Sequence, residues 1–131
     1  ELHSGIDIAA KLGTPVYAAA SGTVVGITYK SSCGGNIVTI RHSIKGKIYR
    51  TRYMHLATIN VKMGQNVLVT TKIGTVGGGG YTLRRNGGWD SCSTGAHLHF
   101  MILPGSTGSS TINPRSMISF PAKGKSFSNR W

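Results

Sequence analysis

One stretch of this chain reads Ala96-His97-Leu98-His99-Phe100-Met101-Ile102-Leu103. An apolar run of this length, bounded by turn-forming residues, predicts a β-strand. Because successive side chains of a strand point to opposite faces, His97 and His99 are expected on the same face. Two neighbouring imidazoles indicate a metal or catalytic site, although taken alone they fit equally well with polar rings that find hydrogen bonds in a half-buried sheet.

The composition around this stretch predicts an all-β protein. A chain of 131 residues suffices for one compact domain and is short for two. Nineteen glycines, frequent Val, Ile, Thr and Tyr and the near absence of Glu argue against a helical protein. We therefore expect a compact antiparallel β-sheet domain with a groove and minimal helix, the helical signal being one short turn at 113–118. The predicted strands are residues 14–19, 22–29, 37–42, 48–54, 72–76 and 96–103.

The charge of the chain indicates its partners rather than its fold. Fifteen Lys and Arg against three Asp and Glu give a net charge of +12, which favours association with a polyanion. The basic residues are scattered and match no nucleic-acid motif, so we expect no nucleic acid, and an anionic bacterial cell wall would attract the same charge. The alternative is a cationic surface that only keeps the protein in solution.

Two further features bear on where the protein works. No apolar run is long enough to span a bilayer, so no membrane span is expected. The chain begins at Glu1 rather than Met, which predicts an excised or processed domain with any export signal upstream.

Cys33 and Cys92 are an even pair, compatible with one disulfide in an oxidising compartment. Two buried free thiols are the alternative. A bridge would close a loop of about 60 residues, which the chain-entropy model values at about 4 kcal/mol.

The segment from residue 77 to 94 predicts a long loop directly before the histidine pair. It contains four consecutive glycines and then aromatic and basic side chains without a sustained period. Long loops in small domains are often functional, so this loop indicates substrate contact, with flexible decoration as the alternative. The candidate contact residues are Tyr81, Arg84, Arg85 and Trp89.

The other histidines strengthen the case for a metal site. His3 and Asp7 place an imidazole and a carboxylate close together in sequence, and such groups are ordinary zinc ligands. With one of His97 or His99 they supply the three protein ligands of a catalytic zinc. The chain has no His-Glu-x-x-His motif and its sole glutamate is Glu1, so acid and base work at a hydrolytic site would fall to histidine.

Taken in order, these elements resemble the zinc peptidases of the lysostaphin and LytM type, peptidase family M23. The resemblance covers most of the chain. It rests on His3-Ser4-Gly5-Ile6-Asp7-Ile8-Ala9, Gly13-Thr14-Pro15-Val16, Ala18-Ala19-Ala20-Ser21-Gly22-Thr23-Val24, Gly35-Asn36-Ile37-Val38-Thr39-Ile40-Arg41-His42, Tyr53-Met54-His55-Leu56, Gly64-Gln65, Ile73-Gly74 and His97-Leu98-His99-Phe100.

The resemblance implies a site and a substrate. His3, Asp7 and His99 would hold one zinc per chain, and His97 and His55 would be catalytic. His97 is the preferred base, and His55 would orient the water or donate to the developing oxyanion. The substrate would be peptide bonds of bacterial peptidoglycan, in the stem or the interpeptide bridge. Asn36 is assigned to the substrate groove with the loop residues, whereas His42 matches a structural position.

From this resemblance we expect a peptidase domain at residues 1–121 and a basic tail at 122–131. The protein would be a monomer, secreted or cell-wall associated. The chain departs from the family pattern at Met101, where Glu is common, in the long loop, and in lacking a strand before His3.

Three other functions stay open. A cysteine peptidase would use Cys92 with His97 and would resist chelators. A catalytically silent wall-binding or hydrolase-activator domain would keep the scaffold without the reaction, although no ligand of the family pattern is missing. A lipoyl-like carrier, suggested by the apparent hairpin at 16–25, would need an acceptor lysine at a tight turn, and the sequence shows no clear signal for one.

Overall fold

A computed structural model describes residues 6–11, 13–31, 35–77 and 97–105, without the side chains of residues 6, 7, 9, 30, 31 and 97. Within this part of the chain every regular element is a strand, which confirms the all-β prediction. The strands are β1 (Ile6–Ala9), β2 (Pro15–Tyr17), β3 (Gly22–Ser31), β4 (Gly35–Ile44), β5 (Lys47–Ile59), β6 (Asn66–Val67), β7 (Lys72–Val76) and β8 (His97–Pro104).

The six predicted strands are present, with β3, β4 and β5 longer than expected. Sequence reasoning missed β1 and β6, which have four and two residues. The predicted helical turn at 113–118 lies outside the described residues.

All strand pairings are antiparallel and form one sheet in the order β1-β8-β5-β4-β3-β6, with β7 joining β5 to β2. The central strand β5 changes neighbours along its length. Its residues 49–54 pair with β8, and Leu56 to Ile59 pair with β7. The change occurs at His55, which therefore lies where three strands meet.

Alternation along the central strands gives the sheet two different faces. The core face carries Val38 and Ile40 of β4, Tyr53 of β5, and Phe100 and Ile102 of β8, each fully buried. The register places Val38 opposite Tyr53 and Tyr53 opposite Phe100, so these side chains stack across three strands. The other side, which we call the groove face, carries positions 37, 39 and 41 of β4, 50, 52 and 54 of β5, and 99 and 101 of β8.

A chain of hydrogen bonds crosses the core face and has both of its ends in the segment before β3. Nδ1 of His42 lies 2.9 Å from the carbonyl oxygen of Ser21, which can only accept, so Nδ1 carries the proton. Nε2 then accepts from the Thr51 hydroxyl at 2.6 Å, and Thr51 accepts from the Tyr53 hydroxyl at 2.7 Å. The Tyr53 oxygen accepts the N–H of Ala19 at 2.9 Å. The neutral form of His42 thus fits a chain in which each bond has one donor and one acceptor.

Burial keeps the two titratable side chains of this hydrogen-bonded chain, His42 and Tyr53, in their neutral forms. It lowers the pKa of His42, although the bond to the Ser21 carbonyl opposes the shift. It also raises the pKa of Tyr53, although the hydrogen bonds with Thr51 and with the backbone of Ala19 oppose the shift. Both groups are therefore neutral at pH 7, and the chain ties β4 and β5 to the segment before β3 without a buried charge.

Candidate metal and catalytic site

The pairing of β1, β8 and β5 brings the predicted site residues together. Asp7 lies directly opposite His99, and His99 lies directly opposite Met54. Opposite positions of an antiparallel ladder share a face and have Cα atoms about 4.5–5.5 Å apart. Asp7 and His99 are therefore neighbours on the groove face, although they are 92 positions apart in the sequence.

His97 occupies the same face two residues before His99 and pairs with Ala9. The strand prediction for the His97 and His99 pair is thus confirmed at the level of the backbone. His99 itself is half-buried, and Leu98 between the two histidines is buried in the core. The alternation that the sequence indicated separates the histidine face from the apolar face.

His55 completes this group from β5. Its ring centroid lies 6.2 Å from that of His99, with the two rings at 75°, and its side chain is only 6% exposed. Its φ of 63° is in the left-handed region, which costs a non-glycine residue about 1–2 kcal/mol. The sheet has a bulge here, since Tyr53 pairs with Val38 while Leu56 pairs with Asn36. The bulge turns His55 out of the regular alternation and towards His99.

Two hydrogen bonds hold the bulge in place. The carbonyl of His55 accepts the N–H of Gly77 at 2.9 Å, and the side-chain amide of Asn36 donates to the carbonyl of Leu56 at 2.9 Å. Asn36 is 1% exposed. Its position supports the backbone beside His55, and its assignment to the substrate groove stays a prediction. A strained histidine held this firmly is typical of a functional site.

Several predicted residues lie outside the described residues: His3, Tyr81, Arg84, Arg85, Trp89, Cys33 and Cys92. The side chains of Asp7 and His97 do as well. Within the described side chains, no three His, Cys, Asp or Glu form a group that could hold a metal ion. The ligand roles of His3, Asp7 and His99, and the proposed disulfide, therefore stay predictions.

A basic groove that sequence reasoning missed lies on the same face, lined by residues of β3, β4 and β5. It has a volume of about 550 Å³ and includes Thr39, Arg50 and Arg52 in its lining. The pattern Arg50-Thr51-Arg52 places two arginines on one face of β5, by the same alternation that pairs His97 with His99. The signal was present in the sequence, but only the pairing of β5 with β8 shows that this face is the histidine face.

The two arginines of the groove are held differently. Arg50 is 7% exposed and donates from Nε to the carbonyl of Gly105 at 3.0 Å and from Nη2 to that of Pro104 at 3.4 Å. Arg52 is half-buried and donates from Nε to the hydroxyl of Thr39 over a long 3.4 Å. Burial, and then the neighbouring charge of Arg50, lower the pKa of Arg52. An arginine remains charged at pH 7 despite such a shift, so the groove is cationic.

The family model of peptidase family M23 matches residues 1–114. This chain belongs to peptidase family M23. Its sequence is 40% identical over 101 residues to the peptidoglycan DD-endopeptidase ShyA of Vibrio cholerae, covering 77% of this chain and 20% of that protein. The chain spans about a fifth of the length of the curated relatives it matches.

Solved structures of M23 relatives share the fold. The catalytic domain of the antimicrobial peptidase lysostaphin from Staphylococcus simulans matches with a TM-score of 0.69 and 31% identity, over 87% of this chain and 77% of that one. A zinc-containing peptidase from Vibrio cholerae matches with a TM-score of 0.61 and 33% identity, over 84% of this chain and 28% of that one. The predicted M23 resemblance and the strand-rich M23 fold are both confirmed.

Membership in M23 makes this chain a relative of peptidoglycan hydrolases. In the described part of the chain, no helix is long and apolar enough to cross a membrane.

Proposed function

We propose that this chain is a zinc-dependent endopeptidase that hydrolyses peptide bonds of bacterial peptidoglycan, in the stem peptide or the interpeptide bridge. The observation that carries the proposal is the register that sets Asp7 opposite His99 beside the ring of His55. The endopeptidase name of the ShyA relative supports the reaction. The net charge of +12 suits an anionic cell wall.

The proposed ligands are His3, Asp7 and His99, which would hold one zinc ion. The donor set fits, because imidazole nitrogens and a carboxylate oxygen are ordinary zinc ligands and three of them leave a position open. Asp7 and His99 are adjacent across the ladder, so one ion could reach both positions without a change of backbone. When bound, zinc would polarise the scissile carbonyl and lower the pKa of its water.

The remaining chemistry is assigned to two histidines of the chain. His97 takes the proton of the attacking water, since it shares a strand face with His99 and the chain has no suitable glutamate. His55 orients the water or donates a hydrogen bond where negative charge develops on the substrate oxygen. The bulge supports this role of His55, because a ring fixed by backbone hydrogen bonds needs little reorganisation during the reaction.

The other parts of the proposal concern the whole molecule. Residues 1–121 form the peptidase domain and 122–131 a basic tail. The protein acts as a monomer outside the cytoplasm, either secreted or associated with the wall, where a bridge between Cys33 and Cys92 could form.

The test is a cleavage assay on purified peptidoglycan and on a glycine-rich bridge peptide, with products identified by mass spectrometry. We expect a chelator to abolish cleavage and added zinc to restore it, with one zinc bound per chain. Cys92→Ser should cleave normally, which separates this proposal from a cysteine peptidase. Cleavage that survives complete metal removal would contradict the proposal, and zinc binding without cleavage of any substrate would favour a silent wall-binding domain.

A further inference from the structure

The basic groove lies on the same face of the sheet as the proposed reaction centre. Met54 is the register partner of His99, and Arg52 is two residues from Met54 on the same face. Arg52 and His99 are therefore diagonal neighbours across the β5–β8 ladder, and such positions are about 7–8 Å apart. The contact of its Nε with Thr39 directs the Arg52 side chain towards β4, so its guanidinium faces a ligand that extends from His99 across β5 into the groove.

Arg52 has spare capacity to bind an anion. In the described part of the chain its two terminal nitrogens make no hydrogen bond, and its Nε makes only the long contact to Thr39. The whole chain has only three acidic residues, and their side chains lie outside the described part of the chain. Arg50, by contrast, donates to the carbonyl groups at the end of β8. The positive charge of Arg50 stands next to Arg52 and, because it has the same sign, cannot serve as its ion-pair partner.

A half-buried guanidinium beside a like charge is costly unless an anion completes it. The planar fork of arginine matches a carboxylate through two parallel hydrogen bonds. The hydroxyl of Thr39, which borders the same groove, can donate a further bond to an anion held by Arg52.

We propose that Arg52, assisted by Thr39, binds a carboxylate of the peptide substrate and so selects acidic peptides at a position near the scissile bond. The inference rests on the proposed peptidase function. An extended peptide advances about 3.3 Å per residue, so the backbone separation of about 7–8 Å between positions 52 and 99 spans about two residues. Because the Arg52 side chain contacts Thr39 on the side of β5 away from β8, the carboxylate belongs to a residue at least two positions from the bond that is cut.

The test compares peptides that differ only in this charge. Glycine-rich peptides carry a single glutamate at each position in turn, and their neutral partners carry glutamine there. Dissociation constants are measured by titration calorimetry on the metal-free chain and on the zinc-loaded chain, and kcat and KM are measured on the loaded chain. We expect one glutamate position to bind about tenfold more tightly than its glutamine partner, the usual gain from a hydrogen-bonded charge, and to act through KM.

Substitutions assign the preference to its residue. Arg52→Gln should reduce the glutamate-to-glutamine ratio to about one while leaving the glutamine peptide unaffected, and Arg52→Lys should keep part of it, because the charge stays and the fork is lost. The control is Lys47→Gln, which removes the same charge from an exposed position of β5 and should keep the full ratio. Thermal unfolding checks that each variant folds.

Several outcomes would overturn the proposal. One is a ratio of one in the unsubstituted chain, which decides the matter even where Arg52→Gln does not fold. Another is an equal fall of the glutamate-to-glutamine ratio in Arg52→Gln and Lys47→Gln. A third is that Arg52→Gln weakens the binding of a poly(glycerol phosphate) chain but not of the glutamate peptides. That result would make the groove a site for wall phosphates. Cleavage without a charge preference would contradict the carboxylate subsite while supporting the proposed peptidase function. Charge-selective binding without cleavage would contradict the peptidase function while supporting the subsite.

Discussion

His42 and His99 lie in one sheet, on opposite faces, and their surroundings differ in every respect that governs imidazole chemistry. His42 is fully buried on the core face, and both of its ring nitrogens belong to a directed chain of hydrogen bonds. His99 is half-buried on the groove face, opposite Asp7 and 6.2 Å from the ring of His55. The difference teaches that the face of the strand, rather than the residue type, separates a structural histidine from a candidate ligand.

Removing His99 should have the largest effect, and it should fall mainly on function. We expect His99→Ala to lower cleavage by on the order of 10³-fold or more and to weaken zinc binding, because it removes a proposed ligand. The unfolding free energy of the metal-free protein should fall by only about 1 kcal/mol, because His99 is half-buried rather than part of the core. Ser43→Ala, at an exposed position of β4, is the control. Normal zinc content and activity in His99→Ala would contradict the assignment of His99 as a ligand and its contrast with His42.

Removing His42 should do the opposite. His42→Ala leaves the Ser21 carbonyl and the Thr51 hydroxyl without their partner in the core, which should destabilise the fold by about 2–4 kcal/mol. Urea unfolding of the metal-free protein measures this without a contribution from zinc. Its zinc affinity should stay normal while the protein is folded. A stability change near zero would mean that the hydrogen-bonded chain contributes nothing.

Substitutions at two glycines of β3 compare the core face with the groove face without changing a histidine. A Cβ at Gly22 would overlap the carbonyl oxygen of Arg41 and lie 2.8 Å from Nδ1 of His42, so Gly22→Ala should cost about 1–3 kcal/mol. A Cβ at Gly26 would lie 3.3 Å from Cβ of Thr39 on the groove face, where Gly26→Ala should change stability by less than about 1 kcal/mol. Thermal unfolding of both variants should show this order, and the reverse order would mean that the core face is the more adaptable of the two.

The smallest effect concerns pH. Because burial lowers the pKa of His42 below its ordinary 6.5, the unfolded chain binds more protons than the folded chain between the two pKa values. The contribution of His42 to stability is therefore fully present above about pH 6.5 and is lost as the pH falls towards the folded pKa, by at most about 1.4 kcal/mol per pH unit.

The measurement is the difference in unfolding free energy between the unsubstituted chain and His42→Gln, both metal-free, across this range. Taking the difference cancels the other histidines. We expect the difference to shrink as the pH falls, and a constant difference would show that His42 binds its proton equally well in both states.

The sequence alone was sufficient for much of the fold. Composition and alternation predicted an all-β domain and six of the eight strands, because a strand that is buried on one face must show its period in the side chains. The shared face of His97 and His99 followed from the same rule. Strands β1 and β6 were missed, and it is their pairing with β8 and β3 that makes them strands.

The sequence by itself therefore determined which residues could do chemistry, since residue type and alternation are local properties. Only the tertiary structure decided which of them meet. The pairing of β1 with β8 sets Asp7 beside His99, and the bulge in β5 sets His55 there in a conformation that no local preference favours. It also joined Arg52 to the same face. The physical reason is that strand register and bulges depend on pairing between residues far apart in the chain, which local propensity does not specify.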